Sequence, residues 1–138
     1  MATFYQDQRL AGMGQIEANI WTRFLEEHGG EFTDYQYNFR LIKPIQLPDA
    51  MEKQYKANAI ALSALRVDVV MQSRDAIYIV EVRPDARQSA IGGLLMYRYL
   101  YILQENPPKE VRMLLVTNKY DPAIELTCRI AGIGYFIY

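Results

Sequence analysis

Three residues in the middle of the chain, Asp68, Glu81 and Arg83, have the types and the spacing that metal-assisted hydrolysis of a phosphodiester requires. Two carboxylates that converge suit a hard divalent cation such as Mg²⁺, bound together with water and phosphate oxygens. Such a cation activates water and neutralises the charge of the transition state. Two like charges held close together cost free energy unless a positive charge compensates them, and Arg83 stands beside Glu81 to do so.

The strand pattern around these residues brings the two carboxylates together. Residues 65–71 and 76–83 read as strands joined by a short polar turn, and this spacing predicts a tight antiparallel hairpin. Side chains two residues apart share one face of a strand, so Glu81 and Arg83 form the polar end of an otherwise apolar face. Asp68 lies at a similar height on the neighbouring strand of the hairpin. We therefore expect Asp68 and Glu81 to converge.

Two elements and one poorly defined segment precede the hairpin. Apolar residues recur at helical spacing over residues 10–28, and Gly29 and the glycine after it end this helix. Residues 35–41 alternate between apolar and polar side chains, which predicts a half-buried strand. Residues 43–61 contain two prolines that break the strand, and Pro48 could start a short helix within them.

A long helix and three further elements follow the hairpin. The helix is predicted from about residue 86 to 104, with Asp85 as its N-cap and Gln88 closing a capping box. Gly92 and Gly93 within it are expected to let the helix lie close to the sheet or to a partner. The remaining elements are a strand at 111–117, a helix from Asp121 and Pro122 to residue 130, and a strand at 135–138. This order predicts an α/β fold, a mixed sheet with helices on its faces.

Residues 66–101 resemble the PD-(D/E)xK nuclease superfamily; their sequence is RVDVVMQSRDAIYIVEVRPDARQSAIGGLLMYRYLY. That superfamily has an aspartate, a hairpin, a Glu-x-Lys motif and a helix in this succession. The order of elements across the chain also matches its αβββαβ core with additions. The resemblance implies a single domain over residues 1–138 with a restriction-endonuclease-like or Holliday-junction-resolvase-like fold, in the order α-β-β-β-α-β-α-β.

The resemblance also assigns roles to residues. Asp68 and Glu81 fall on the metal-ligand carboxylates, and Arg83 falls where the family has its catalytic lysine. Glu17, in the first helix, is the candidate for the extra metal-ligating glutamate of some members, and Gln88 for a supporting catalytic residue. The implied cofactor is Mg²⁺ or Mn²⁺. An arginine can supply the electrostatic part of the lysine's role, but it cannot act as a base at accessible pH.

A nuclease of this type is expected to contact DNA through a basic rim. The candidates for this rim are Arg66, Arg74, Arg87, Arg98 and Lys119, and Arg87 is also the alternative to Gln88 as the supporting residue. The formal net charge of the chain is only -1, so any contact with a polyanion must come from a local patch.

A second hypothesis is a nuclease-like fold that serves as a binding or structural subunit, for example in a phage or mobile-element assembly. It draws on the arginine in place of lysine, the near-neutral charge, the unassigned segment 43–61 and the eleven tyrosines. Under either hypothesis we expect a homo-oligomer or a subunit of a larger assembly. The two hypotheses stay open at this stage.

Several other classes of site and location are not expected. Cys128 and His28 are the single cysteine and the single histidine, so an intramolecular disulfide or a zinc site cannot form. The N-terminal residues lack the basic stretch and apolar run of a signal peptide. No apolar run approaches the roughly 20 residues that span a bilayer. We expect a cytoplasmic protein, or one carried in a virion, with no membrane partner.

Overall fold

The computed structural model describes residues 12–41 and 65–138, which form a five-stranded mixed sheet with helices on both faces. In chain order the elements are α1 (Gln15–His28), a 3-10 turn (Gly29–Glu31), β1 (Thr33–Arg40), β2 (Arg66–Gln72), β3 (Ala76–Val82), α2 (Gln88–Glu105), β4 (Glu110–Thr117), α3 (Pro122–Ala131) and β5 (Ile133–Ile137). The predicted α/β class, with a mixed sheet flanked by helices, is confirmed. The prediction for residues 43–61 lies outside the described residues.

The sheet follows the chain, with strand order β1-β2-β3-β4-β5. β2 pairs antiparallel with both of its neighbours, β1 and β3. β4 pairs parallel with both of its neighbours, β3 and β5. The predicted hairpin is therefore present, and its turn is closed by a 2.9 Å hydrogen bond from the Ser73 N–H to the Ala76 carbonyl. Each parallel pair is joined by a helix, because a parallel connection must cross back over the sheet.

Helices cover both faces of the central strands. On one face α2 and α3 bury Leu94, Cys128 and their apolar neighbours against Ile79 and Leu115. On the other face α1 buries Trp21 and Phe24, whose rings stack with centroids 4.9 Å apart. Strands buried on both faces read as nearly continuous apolar runs, which is the pattern of β3 and β4. A charged side chain within such a strand is exceptional.

Helix α1 begins later than predicted. The described part of the predicted helix at 10–28 begins at Gln15, because Gly12 has a φ of +81° and Gly14 is in an extended conformation. A residue with a left-handed or extended backbone cannot continue an α-helix. The helix ends at His28, as predicted, and passes into the 3-10 turn.

The predicted start of α2 is wrong. Asp85 has a φ of +45° and is not the N-cap; Arg87 takes that position without a side-chain cap, and Gln88 is the first helical residue. The capping box therefore does not form. The reason lies at the end of β4, where Asn118 Oδ1 accepts the N–H of Asp85 at 2.9 Å and Thr117 Oγ1 accepts the N–H of Ala86 at 3.2 Å.

The two glycines of α2 do not bring the helix close to the sheet, which was one of the two purposes expected for them. A Cβ atom added to Gly92 would meet nothing within 4 Å, and one added to Gly93 would make an ordinary 3.8 Å contact with the ring of Tyr97. Gly92 is exposed on the outer side of the helix. The other expected purpose, contact with a partner, stays a prediction.

The elements after α2 lie where they were predicted. Asp121 caps α3, because its side chain accepts the N–H groups of Ala123 and Ile124, and Pro122 occupies the first turn. β5 begins at Ile133, two residues before the predicted start. No helix within residues 12–41 and 65–138 is long and apolar enough to cross a membrane.

Candidate functional site

Glu81 is a carboxylate inside the sheet. It lies in β3 on the side covered by α2, and only 4% of its surface is exposed. Together with Thr117 it makes up the buried polar residues of the described chain. Burying an ionised carboxylate is costly unless a cation or hydrogen-bond donors compensate it. The position of Glu81 therefore demands a positively charged neighbour.

Arg83 is one such neighbour. Its Nη2 donates a 2.6 Å hydrogen bond to Glu81 Oε2, and its backbone N–H donates to the Val116 carbonyl at 3.0 Å. This backbone bond continues the β3–β4 pairing one residue past the end of β3. The Arg83 side chain is 44% exposed, against 6% for that of Glu81. Arg83 follows the last residue of β3, at the end of the sheet that we call its open end. From there its side chain reaches a buried carboxylate in a charge-assisted hydrogen bond.

Asp68 completes the cluster from β2. Its Oδ2 accepts the Val82 N–H at 2.9 Å, and its carboxyl lies within hydrogen-bonding reach of Glu81. Burial, and next the charge of Glu81, raise the pKa of Asp68 to about 8, while the bond from Val82 opposes this shift. The convergence expected from the hairpin is therefore present in the structure, and the catalytic role of the two carboxylates stays a prediction.

A local irregularity explains how Asp68 reaches the end of β3. The residues on either side of it, Val67 and Val69, pack into the two different cores of the sheet. By register Asp68 lies opposite Asn38, whose φ of +54° is left-handed. The strict alternation of sides thus breaks at Asp68. Its carboxylate accepts the N–H of Val82 in β3, where a regular ladder would have a backbone carbonyl as the acceptor.

Glu17 contributes less to the cluster than the resemblance implies. It is half-buried near the start of α1, and its charge is the smallest of the causes that raise the pKa of Asp68. No group of three or more His, Cys, Asp or Glu side chains placed to hold a metal occurs in the described part of the chain. Asp68 and Glu81 are adjacent, whereas Glu17 acts on Asp68 only through its charge.

Tyr97 lies beside the same groups and was not predicted as a site residue. Burial, and then the charges of Glu81 and Asp68, raise the pKa of its phenol, while the charge of Arg83 lowers it. The signal in the sequence was its position seven residues after Ala90, which places both on one side of a helix. The sequence had suggested only a core or interface role for it.

Gln88 and Arg87 lie in a different place from the carboxylates. They line a cleft of about 270 Å³ between the N-terminal ends of α2 and α3, together with Ile91, the α3 cap residue Asp121 and three residues of α3. None of the residues that line this cleft belongs to the Asp68 cluster. The guanidinium of Arg87 pairs with Asp85 at 3.0 Å. The supporting role expected for Gln88 stays a prediction.

The five candidates for a basic rim lie at two ends of the sheet. Arg66, Arg87 and Lys119 adjoin the ends of β2, β3 and β4 nearest the carboxylates. Arg74 lies in the hairpin turn, at the opposite end of β2 and β3. Arg98 donates a 2.8 Å hydrogen bond to the Val111 carbonyl, near the start of β4 and thus also at the opposite end.

The comparisons with known proteins give no relative. No family model matches the chain, and neither a curated protein nor a solved structure matches it.

Proposed function

We propose that this chain is a divalent-metal-dependent nuclease of the PD-(D/E)xK type, which hydrolyses phosphodiester bonds of DNA. The observation that supports the proposal is the convergence of Asp68 and Glu81 at the end of a buried hairpin, with Arg83 bound to one of them. The α/β fold, with a mixed sheet between helices, is compatible with a restriction-endonuclease-like architecture.

The charge of the cluster argues for a cation. Two ionised carboxylates carry two negative charges, and Arg83 compensates one of them. A pKa of about 8 for Asp68 means that this pair retains a proton at neutral pH when no cation is present. A divalent ion would replace that proton and compensate the remaining charge.

The donor set fits a hard cation such as Mg²⁺ or Mn²⁺, which prefers carboxylate oxygens and keeps several waters. Asp68 and Glu81 would hold this ion, and the charge of Glu17 would add to the attraction. When bound, the ion would supply Lewis-acid stabilisation of the phosphoryl group and a more acidic water.

Arg83 would then bind the scissile phosphate. A guanidinium has five N–H donors, and the bond to Glu81 uses one of them. Because the side chain is nearly half exposed, other donors are available to a phosphate oxygen at the open end of the sheet. An arginine cannot deprotonate the attacking water, so its contribution is electrostatic. Arg66 and Lys119 adjoin this same end of the sheet, whereas the charge of Arg87 is paired with that of Asp85.

The test is cleavage of supercoiled, linear and branched DNA by the full chain with Mg²⁺ or Mn²⁺. Wild type is expected to cleave at least one substrate, and Asp68→Asn and Glu81→Gln are expected to lose about a hundredfold or more. Glu110→Gln, at the opposite end of the sheet, is the matched control and should retain activity. An inactive wild type together with an active Arg83→Lys variant would refute the proposal and indicate a degenerate site.

The Arg83–Glu81 bond itself favours a second candidate function, a binding or structural subunit without catalysis. In that case Arg83 would compensate Glu81 permanently, and Asp68 would keep its proton. The net charge of -1 agrees with a protein that does not bind DNA on its own. This candidate predicts that divalent cations neither bind at the cluster nor raise the stability of the fold.

A further inference from the structure

The outer side of α2 carries a row of large apolar side chains. Leu95, Met96, Tyr99 and Leu103 are 46%, 44%, 64% and 48% exposed, respectively. The inner side of the same helix is separately apolar, and it buries Leu94 and its neighbours against the sheet. A helix that is apolar on both sides is ordinarily covered on both.

The row has the spacing of a helix–helix contact. Gly92, Met96, Tyr99 and Leu103 follow each other at intervals of four, three and four residues, which is the repeat of a coiled-coil seam. No charged residue occupies any of these positions. A Cβ atom at Gly92 would meet nothing within 4 Å, so there is room for a large side chain from outside.

Helix α3 extends the apolar surface. Leu126 and Ile130, one turn apart, are 57% and 80% exposed. The two helices cover the same face of the sheet, and Leu95 lies on the side of α2 that faces α3, one turn after Ile91 of the cleft between them. We call the six side chains Leu95, Met96, Tyr99, Leu103, Leu126 and Ile130 the α2–α3 outer surface.

We propose that the α2–α3 outer surface binds a second copy of this chain, in a two-fold symmetric dimer whose α2 helices run antiparallel. The spacing of four, three and four residues between Gly92, Met96, Tyr99 and Leu103 is the same in both directions along the helix. A two-fold axis between residues 97 and 98 places Met96 against Tyr99 of the second copy, and Gly92 against Leu103 of the second copy. The large side chain of Leu103 thus faces Gly92 of the other copy, where there is open space. The surface is therefore complementary to itself, as a two-fold interface requires.

The area and the charge of the surface fit a second copy. Large side chains expose on the order of 200 Å² each, so the exposed fractions of the six amount to roughly 700 Å² per copy. A stable interface buries about 800 Å² per partner. Because none of the six residues is charged, the surface meets its own copy without like-charge repulsion.

The mass of the wild-type chain in solution, measured by light scattering and by sedimentation without DNA or metal, tests the dimer independently of nuclease activity. Wild type is expected to have twice the mass of one chain, and Met96→Lys combined with Tyr99→Lys to raise the dissociation constant about a hundredfold or more. The matched control is Ile16→Lys, which changes a 58% exposed side chain on α1 and should leave the dimer intact. A wild type that is monomeric at about 100 µM would overturn the proposal, because something other than a second copy would then cover the surface. So would a lysine pair that leaves the dimer unchanged.

A cross-linking experiment tests the register with smaller substitutions, in case the lysine variants do not fold. Chains with Met96→Cys are mixed with chains with Tyr99→Cys and treated with a short thiol cross-linker. The native Cys128 is fully buried and should not react. The mixture is expected to cross-link more than either variant alone. Equal yields in the three samples, or no cross-linked product, would overturn the antiparallel arrangement.

Discussion

The guanidinium of Arg83 and the carboxylate of Glu81 share a hydrogen bond of 2.6 Å between an exposed and a buried side chain. The bond holds Arg83 over the end of β3, where Asp68 also arrives from β2. It thereby links the stability of the buried carboxylate to the chemistry proposed for the open end of the sheet.

Replacing Arg83 should therefore affect stability and cleavage together. Arg83→Ala leaves the buried Glu81 without its donor, and we expect a loss of about 1–3 kcal/mol in the free energy of unfolding, measured with urea. Arg83→Lys keeps a positive charge and should stay within about 1 kcal/mol of wild type. Cleavage in Mg²⁺ should fall about a hundredfold in Arg83→Ala and much less in Arg83→Lys. Wild-type stability in Arg83→Ala would contradict a structural role for this bond.

The pKa of Asp68 predicts how stability depends on pH. Folding raises this pKa from 3.8 to about 8, so the folded chain binds more protons than the unfolded chain between these two values. The stabilisation is therefore complete below about pH 4 and is lost as the pH rises through 8. Urea unfolding at several pH values without divalent cations should show this decline in wild type, and Asp68→Asn should remove it. If the stability of wild type instead increased between about pH 4 and 8, and Asp68→Asn removed that increase, the raised pKa of Asp68 would be contradicted.

Thr117 should hold the segment that leads from Arg83 into α2. Its hydroxyl accepts the buried N–H of Ala86 at 3.2 Å. Thr117→Val preserves the shape but leaves this N–H without a partner, so we expect a loss of about 1–3 kcal/mol in the free energy of unfolding. Thr117→Ser keeps the hydroxyl and should cost less than half as much. Equal losses in the two variants would show that packing, and not the hydrogen bond, matters at this position.

Gly134 in β5 is predicted to accept a side chain only if the buried Leu114 side chain shifts. A Cβ atom there would lie 2.5 Å from Leu114 Cδ2 and 3.3 Å from the ring of Phe136. Gly134→Ala should therefore destabilise the fold by about 1–3 kcal/mol. Gly30→Ala is the control, because a Cβ atom at Gly30 meets nothing within 4 Å. Thermal unfolding of both variants distinguishes crowding from a general effect of replacing glycine, and equal melting temperatures would contradict crowding.

What the sequence predicted well depends on local periodicity. The alternation in residues 65–83 was sufficient for the hairpin and for the approach of Asp68 to Glu81, because the strands are adjacent in the chain. The end of α1 at His28 followed from the glycines beyond it in the same way.

What the sequence missed depends on contacts between distant residues. Asp85 looked like an N-cap, but its N–H is bound by Asn118, thirty-three residues later, so the helix begins beyond it. The place of Tyr97 beside the carboxylates required knowing which side of α2 faces the sheet. Arg98 could be assigned to the opposite end of the sheet only once the strand order was known, whereas the predicted hairpin alone puts Arg74 in its turn, away from the carboxylates.

The melting temperature during a titration with Mg²⁺ or Mn²⁺ at pH 8 tests most directly whether Asp68 and Glu81 form a cation site. We predict a rise of about 5 °C near saturation in wild type, since a ligand that binds only the folded state stabilises it. Asp68→Asn should abolish the rise, and Asp85→Asn, an exposed carboxylate outside the cluster, should retain it. No rise in wild type, or an equal rise in Asp68→Asn, would contradict the account.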